Sequence, residues 1–291
     1  MTPEGLELVW DAQCGIAESC TWDERNRRVL FCDSTGGRIL AYGVDDGSKQ
    51  AWRFPERVGS FGICDSGKLV VALLHRVVLF DPKTEKMSEF TEPVDQPKTS
   101  KLNDGKVGPD GCFWVGSMDL DPRRRPICDL FRVTPDGKIE KKAGGYKVSN
   151  GLAWSPDGRT MYHSDTQDYW IDAWDFEPST GHISNRRRFA TLSETDGRPD
   201  GAQCDVEGNY WSPGAYGGRI NCFSPSGELT LTIELPFPTP TMLGFAEDSL
   251  YITTLRQHLS EELKQKYPTM GGLFRMKAPA VGAPVARFAD V

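Results

Sequence analysis

The stretch GPDGCFWVGSM (108–118) sets the pattern of the whole chain, because a Pro-Asp-Gly turn leads directly into an apolar, aromatic segment. The stretch SPDGRTMYHSDT (155–166) repeats that plan. Proline presets φ and glycine supplies a positive φ, so this combination predicts a tight turn. Related turn marks precede apolar segments at WDE (22–24), CDSG (64–67), DVEG (205–208) and AED (246–248).

Each turn mark is followed by two predicted strands separated by a short link. The first strands are RRVLFCD (27–33), KLVVALL (68–74), CFWVGSM (112–118), TMYHSDT (160–166), NYWSPGA (209–215) and SLYITTL (249–255). The second strands are RILAYGV (38–44), RVVLFDP (76–82), DLFRVTP (129–135), WIDAWDFEP (170–178), RINCFSP (219–225) and LFRMKAP (273–279). Units that recur every ~40–50 residues are typical of β-propeller blades, whereas a β-sandwich has no reason to repeat one motif six times. We therefore predict an all-β, six-bladed β-propeller with a central channel, formed as one domain by residues 1–291.

One segment, HLSEELKQK (258–266), reads as a helix, with Ser260 as its N-cap. The two ends of the chain, LELVW (6–10) and PVARFAD (284–290), both read as strands. In a propeller, such terminal strands can share a blade and close the ring, and we expect that arrangement here.

Composition excludes several classes of protein. The 291 residues carry a net charge of −7, which leaves no basic surplus for nucleic acid. No apolar run approaches the length of a membrane span, and the first residues lack the basic start and apolar core of a secretory signal. The eight cysteines contain no C-x-x-C pair, so we expect reduced, buried thiols and a cytoplasmic protein.

The innermost strand of each blade should lie just before its turn mark and line the channel. Counting seven residues back from the acidic turn residue reaches Asn103, Asn150 and Asp200, and in two other units Val58 and Thr241. In the first unit, Glu18 lies five residues before Asp23. Repeat-equivalent positions converge on the axis, and buried carboxylates there need a partner. An all-oxygen set suits a hard cation such as Ca²⁺, Mg²⁺ or Mn²⁺. The alternative is that these side chains only hydrogen-bond neighbouring strands around a water-filled channel.

Four segments carry a resemblance to a known family over nearly the whole chain. They are KLNDGKVGPDGCFWVGSM (101–118), VSNGLAWSPDGRTMYHSDT (148–166), TGHISNRRRF (180–189) and PDGAQCDVEGNYW (199–211). The chain resembles the family of gluconolactonases, senescence marker protein (regucalcin) and luciferin-regenerating enzyme.

The resemblance implies a propeller with one catalytic divalent ion, for which Ca²⁺, Mg²⁺, Mn²⁺, Zn²⁺ and Fe²⁺ are candidates. Its ligands map onto Glu18, Asn150 and Asp200, and the substrate-contacting positions map onto Lys101, Asn103 and Asp121. We take Asp200 as the general base, with Asp121 or Asp119 as alternatives. Asn103 is expected to bond sugar hydroxyls, and Lys101 is expected at the pocket rim.

The implied activity is hydrolysis of a small-molecule sugar lactone, such as glucono-, xylono-, arabinono- or galactonolactone, to the aldonic acid. The protein is expected to be a monomer or weak homo-oligomer that binds neither nucleic acid nor membrane. Two alternatives stay open: hydrolysis of other esters or phosphotriesters, and a non-enzymatic calcium-binding protein.

Several residues depart from the family pattern. Lys101 replaces the usual arginine and keeps a point charge without the planar fork. Gly214 and Gly244 place little bulk where larger side chains are common, so both are expected to reshape the pocket. Arg123, Arg124 and Arg125 follow Asp121 directly, as a solvated surface loop or as a cover that steers a carboxylated substrate. His163 and Asp165 are interpreted as hydrogen-bond partners in the core.

Overall fold

In a computed structural model, which describes residues 3–291, the chain forms six antiparallel sheets arranged as the blades of a propeller. The N-terminal strand is β1 (Glu7–Trp10). Blade 1 holds β2 (Ala17–Asp23), β3 (Arg28–Asp33), β4 (Arg38–Gly43) and β5 (Lys49–Arg53). Blade 2 holds β6 (Ser60–Ile63), β7 (Leu69–Ala72), β8 (Val77–Asp81) and β9 (Lys86–Glu89). Blade 3 holds β10 (Ser100–Val107), β11 (Phe113–Asp119), β12 (Cys128–Val133) and β13 (Ile139–Tyr146).

The remaining blades follow the same order from inside to outside. Blade 4 holds β14 (Ser149–Trp154), β15 (Thr160–Asp165), β16 (Trp170–Glu177) and β17 (His182–Thr191). Blade 5 holds β18 (Arg198–Pro199), β19 (Gln203–Cys204), β20 (Tyr210–Ala215), β21 (Arg219–Phe223) and β22 (Leu229–Glu234). Blade 6 holds β23 (Pro240–Ala246), β24 (Ser249–Thr254) and β25 (Leu273–Lys277), with β1 as its outermost strand. The six-bladed architecture and the strand order are as predicted.

The apolar core is divided into six clusters, one at each interface between adjacent blades. Between blades 1 and 2, for example, Leu30 and Trp52 pack with Phe61 and Phe80. A blade in a propeller contacts a neighbour on both faces, so its middle strands are buried almost throughout, as β3 and β15 are. The outermost strand contacts only its own blade, and β9 is exposed at all four residues. This burial explains why the first two predicted strands of each unit are continuous apolar runs.

The two ends of the propeller are built differently. Inner strands begin at one end, which we call the entrance face and which carries the links 54–59, 120–127 and 255–272. The Pro-Asp-Gly turns lie at the opposite end, the turn face. The helix α1 (Glu261–Lys266) lies in the last of these links, and the Ser260 side chain caps it by accepting from the Leu263 amide at 3.2 Å, as predicted.

The prediction for the ends of the chain is half wrong. Strand β1 pairs with β25 and closes the ring, whereas residues 284–290 form no strand of that blade. The C-terminal segment instead lies across the turn face. It bonds Cys204 through the Ala283 amide (2.9 Å) and Ile63 through the Phe288 amide (2.9 Å). Its alternating apolar pattern fits this docking as well as it fits a strand, so the pattern alone does not distinguish them.

All eight cysteines are free and buried, as expected. Among residues 3–291, no helix is long and apolar enough to cross a bilayer.

Asp205 anchors the turn of blade 5, and its removal should destabilise the protein. Its buried carboxylate accepts from the Asn209 amide (2.9 Å), the Asn209 side chain (2.8 Å), the Glu207 amide (3.0 Å) and the Trp211 indole (2.8 Å). We expect Asp205→Ala to lower the free energy of unfolding by about 3 kcal/mol, because buried donors lose a charged acceptor. Urea denaturation measures the difference.

Asp157→Ala is the matched control, since Asp157 holds the equivalent turn in blade 4 but is exposed and accepts only from Ser155 and the Arg159 amide. We expect its cost to stay below about 1 kcal/mol. Equal urea midpoints for the two variants would contradict this account of the turns.

Candidate metal centre

The inner strands are irregular where they carry the polar side chains of the propeller axis, which are Glu18, Lys101, Asn103, Asn150 and Asp200. The pairing register shifts between Glu18 and Thr21, between Leu102 and Gly105, and between Asn150 and Ala153. In blade 5 the inner strand is interrupted altogether, with Asp200 between β18 and β19. β-Bulges bend a strand and re-aim its side chains, and they are common beside active sites. The irregularities therefore occur at Glu18, Asn103, Asn150 and Asp200, the polar positions to which counting back from the turn marks led.

A chain of hydrogen bonds links blades 3 and 4 across the channel. The Lys101 ammonium donates to Asn103 Oδ1 (2.8 Å) and to the Leu102 carbonyl (3.2 Å). Asn103 Nδ2 in turn donates to Asn150 Oδ1 (3.3 Å) and to the Ser149 carbonyl (3.0 Å). Asn103 is therefore engaged at both ends of its amide and braces Asn150.

Thr166 extends this chain to blade 5. Its hydroxyl accepts from Asn150 Nδ2 (2.7 Å) and donates to the Pro199 carbonyl (2.8 Å), next to Asp200. Because Nδ2 of Asn150 is held by Thr166, the orientation of its amide is fixed, with Oδ1 accepting from Asn103. Sequence reasoning assigned Thr166 no role, although it ends the quoted SDT motif.

Thr241 similarly connects blades 5, 6 and 1 through hydrogen bonds. Its hydroxyl donates to the Ala17 carbonyl (2.5 Å), adjacent to Glu18, and its carbonyl accepts from the Gly201 amide (2.9 Å), adjacent to Asp200. The seven-residue count reached Thr241, but a threonine did not suggest a bracing role. The repeat position itself was the available signal.

The two carboxylates on the axis are poorly solvated and repel each other. Burial, together with the Asp104 carboxylate, raises the pKa of Glu18 to about 8, against a smaller opposing effect of Lys101. Burial and the Glu18 carboxylate hold the pKa of Asp200 well above its usual range. A cation bound between the two groups would offset both the loss of solvation and the repulsion.

The residues present fit a divalent cation. Asp200 Oδ1 is buried and has no hydrogen-bond partner among the described residues. Residues 3–291 contain no cluster of three His, Cys, Asp or Glu side chains that could hold a metal. Glu18 and Asp200 supply two carboxylates and Asn150 a carboxamide, so the donors are all oxygen, which is the chemistry of a hard cation.

Lys101 lies inside the channel, and not at the rim as expected, since it is only 5% exposed. Burial lowers its pKa to about 8, opposed by the Glu18 carboxylate. Below it on the same strand lie Asp104, which accepts from the Leu152 amide (3.2 Å), and Lys106, which donates to the Ala202 carbonyl. Neither Asp104, which is buried, nor Lys106, which is half-buried, was expected at the site, although both stand in the quoted segment 101–118.

Asp121 lies in the entrance-face loop 120–127 and Asp119 directly precedes it. Both carboxylates already accept hydrogen bonds from arginine side chains. Asp121 accepts from the Arg123 amide (2.9 Å) and guanidinium (2.7 Å), which lowers its pKa. The buried Asp119 accepts from Arg125 Nε (2.9 Å) and Nη2 (2.9 Å), and this pairing lowers its pKa to about 2. Of the six predicted site residues, Lys101, Asn103 and Asn150 are joined directly by hydrogen bonds, whereas Asp121 is engaged by Arg123 in the entrance-face loop.

Two other expectations are settled by packing. His163 Nε2 bonds Ser149 Oγ at 2.6 Å, and Asp165 accepts from the Lys147 amide at 2.7 Å, so both are core partners as predicted. Gly214 and Gly244, which were expected to reshape the pocket, lie where the backbone packs closely against its neighbours. A methyl group on Gly214 would strike the Asp196 carbonyl, and one on Gly244 would lie 3.0 Å from the Cys20 carbonyl. Both glycines permit close backbone packing and leave no open space.

Several known proteins are similar to this chain over most of its length. A sequence model described as "SMP-30/Gluconolactonase/LRE-like region" matches residues 16–256. A 6-deoxy-6-sulfogluconolactonase of Pseudomonas putida is 36% identical, over 97% of this chain and 98% of the relative. An L-arabinolactonase of Azospirillum brasilense is 30% identical, over 97% and 95%.

Among solved structures, a calcium-binding protein, regucalcin, of Agrobacterium tumefaciens superposes with a TM-score of 0.90 at 21% identity, covering 98% of each chain. At that identity the likeness shows the six-bladed fold alone. The match over residues 16–256 and the relatives at 30% identity or more show the family as well. The chain belongs to the SMP-30/gluconolactonase/LRE-like family.

Proposed function

We propose that the protein is a metal-dependent lactonase that hydrolyses sugar lactones to the corresponding acids. The observation that carries this proposal is the buried, unpartnered Oδ1 of Asp200 on the propeller axis, beside Glu18 and Asn150. The names of the relatives support it, because the Pseudomonas putida and Azospirillum brasilense proteins are both lactonases.

Glu18, Asn150 and Asp200 would hold the divalent cation. Three protein donors leave coordination positions for substrate and water, which is the mark of a catalytic rather than a structural site. When bound, the cation would polarise the lactone carbonyl and stabilise the negative charge that develops on its oxygen. Its identity among Ca²⁺, Mg²⁺, Mn²⁺, Zn²⁺ and Fe²⁺ is not selected by an all-oxygen donor set.

Asp200 is the proposed general base. It would take a proton from the attacking water and return it to the alkoxide that leaves when the ring opens. Asp119 and Asp121 are poorly suited to this role, because arginine hydrogen bonds lower the pKa of both carboxylates. Of these three carboxylates, Asp200 is the one that keeps a buried oxygen, Oδ1, without a hydrogen-bond partner among the described residues.

Lys101 and Asn103 are proposed to orient the substrate. The Lys101 ammonium has three donors, and two of them are used by Asn103 Oδ1 and the Leu102 carbonyl. The third is available to a lactone oxygen. Asn103 keeps one lone pair of Oδ1 for a sugar hydroxyl while it braces Asn150. Asp121, also proposed to contact substrate, would need its bonds to Arg123 rearranged.

Removing either carboxylate should abolish metal binding and turnover together. We expect Glu18→Gln and Asp200→Asn to lower metal affinity at least about 100-fold, because each removes a charged ligand. Calorimetric titration with Mn²⁺ and Ca²⁺, followed by assay on D-glucono-1,4-lactone, measures both quantities. Asp46→Asn, an exposed turn carboxylate, is the control. Tight, stoichiometric metal in Asp200→Asn would refute the ligand assignment.

Thr166 should influence the metal without touching it. In Thr166→Val the acceptor for Asn150 Nδ2 is lost while the shape is kept, so the amide is free to rotate. We expect metal affinity to fall about 10- to 100-fold, the usual effect of removing an outer-shell partner. Thr91→Val is the matched control, since this buried hydroxyl also bonds the main chain, at Val77 (3.1 Å), but lies in blade 2. Equal affinities in the two variants would show that Thr166 does not orient Asn150.

A further inference from the structure

The arginine-rich loop on the entrance face carries one unbalanced charge. Arg123 pairs with Asp121 at 2.7 Å and Arg125 with Asp119 at 2.9 Å. Arg124 lies between them in the left-handed region (φ 51°), and its guanidinium contacts the Asp119 carbonyl. Among the described residues no carboxylate pairs with Arg124, so its full charge is available to a ligand.

This loop is fixed beside the substrate-orienting residues. The Leu120 amide donates to the Thr99 carbonyl (2.8 Å), and Arg125 Nη2 donates to Thr99 Oγ1 (2.8 Å). Asp119 is also the strand partner of Ser100, the residue before Lys101. Arg124 is therefore held at the entrance to the channel, close above Lys101.

Arg57 reaches the same place from the link between blades 1 and 2. It is exposed, and no ion pair to it is found in the described part of the chain. Two residues further on, Gly59 packs so tightly that a methyl group there would lie 2.6 Å from the Leu102 carbonyl and 2.9 Å from the Asn103 carbonyl. The neighbouring Glu56 is engaged by Arg76 at 2.7 Å and so does not neutralise Arg57.

His258 approaches from blade 6. The amides of Arg256 and Gln257 donate to the Gly15 carbonyl (2.9 and 2.8 Å), which places His258 beside the segment that leads to Glu18. Partial burial, Arg124 and Arg57 all lower the pKa of His258. Burial is the main cause that lowers the pKa of Lys101, and the Glu18 carboxylate opposes it. The same two arginines lower this pKa further. Loops from three different blades thus bring basic groups together above the axis.

We propose that Arg57 and Arg124, with His258, form an anion subsite at the channel entrance, and that the preferred substrate is a lactone carrying an oxyanion group remote from the reacting carbonyl. This inference rests on the proposed lactonase function. The chain has a net charge of −7, so a cationic cluster at the entrance opposes the average charge. A guanidinium is a planar fork that binds carboxylate or sulfonate oxygens through paired hydrogen bonds. The oxyanion group of the substrate would be bound at the channel entrance while Lys101 and Asn103 orient the lactone ring.

The test compares two lactones that differ at one end. D-Glucaro-1,4-lactone has a carboxylate where D-glucono-1,4-lactone has a hydroxymethyl group. For the metal-loaded wild-type protein we expect kcat/KM to be at least about tenfold higher on the charged lactone, with a preference that declines as salt is added. In Arg57→Gln/Arg124→Gln the ratio should fall to about 1–3. Arg57→Gln alone, at an exposed residue without contacts to lose, should produce an intermediate ratio.

Arg159→Gln is the matched control. Arg159 is also exposed, but it lies on the turn face, so the variant changes the net charge by one unit, as Arg57→Gln does, and should leave the ratio at its wild-type value. Hydrolysis of the neutral lactone without preference for the charged one, or an unchanged ratio in the double variant, would overturn the anion subsite alone. Hydrolysis of neither lactone would overturn the lactonase function. In that event, calorimetric binding of D-glucarate decides on the subsite: weaker binding in the double variant than in Arg159→Gln supports it, and equal binding overturns it.

Discussion

Two interacting carboxylates on the propeller axis, the half-buried Glu18 and the buried Asp200, impose the main constraint on this molecule. Burial raises the pKa of both Glu18 and Asp200, and proximity adds repulsion to the cost of desolvation. A sheet protein without a functional reason would fill such positions with apolar side chains. The channel instead keeps the two acids and leaves Asp200 Oδ1 without a hydrogen-bond partner among the described residues.

The hydrogen bonds that hold this arrangement run around the axis from blade to blade. Lys101 and Asn103 belong to blade 3, Asn150 and Thr166 to blade 4, and Thr241 to blade 6. No single blade contains a site. Five of the six blades contribute a polar group near the start of the inner strand, namely Glu18, Asn103, Asn150, Asp200 and Thr241, and six apolar interfaces fix the blades relative to each other. The stability of the propeller and the geometry of the centre are thus two consequences of the same packing.

The sequence predicts those features that depend on local chemistry or on the repeat. Turn marks located the strands, and the seven-residue count selected Asn103, Asn150 and Asp200 because equivalent positions must meet at a symmetry axis. Features set by contacts between distant segments were not accessible in this way. The docking of residues 284–290 across the turn face is one example. The pairing of Arg123 with Asp121 and of Arg125 with Asp119, which isolates Arg124, is another. The role of Arg57 depends on Gly59 packing against blade 3, which nothing in the flanking sequence indicates.

The central claim is that one divalent cation is held on the axis by Glu18, Asn150 and Asp200. Anomalous diffraction from crystals grown with Mn²⁺ tests it most directly, because the ion is located independently of any assay. The account predicts a single strong peak at which Glu18 and Asp200 carboxylate oxygens and Asn150 Oδ1 all lie about 2.1–2.4 Å from the ion. An anomalous peak at another place in the protein would contradict the claim. So would density for water alone, without an anomalous peak, between these three side chains.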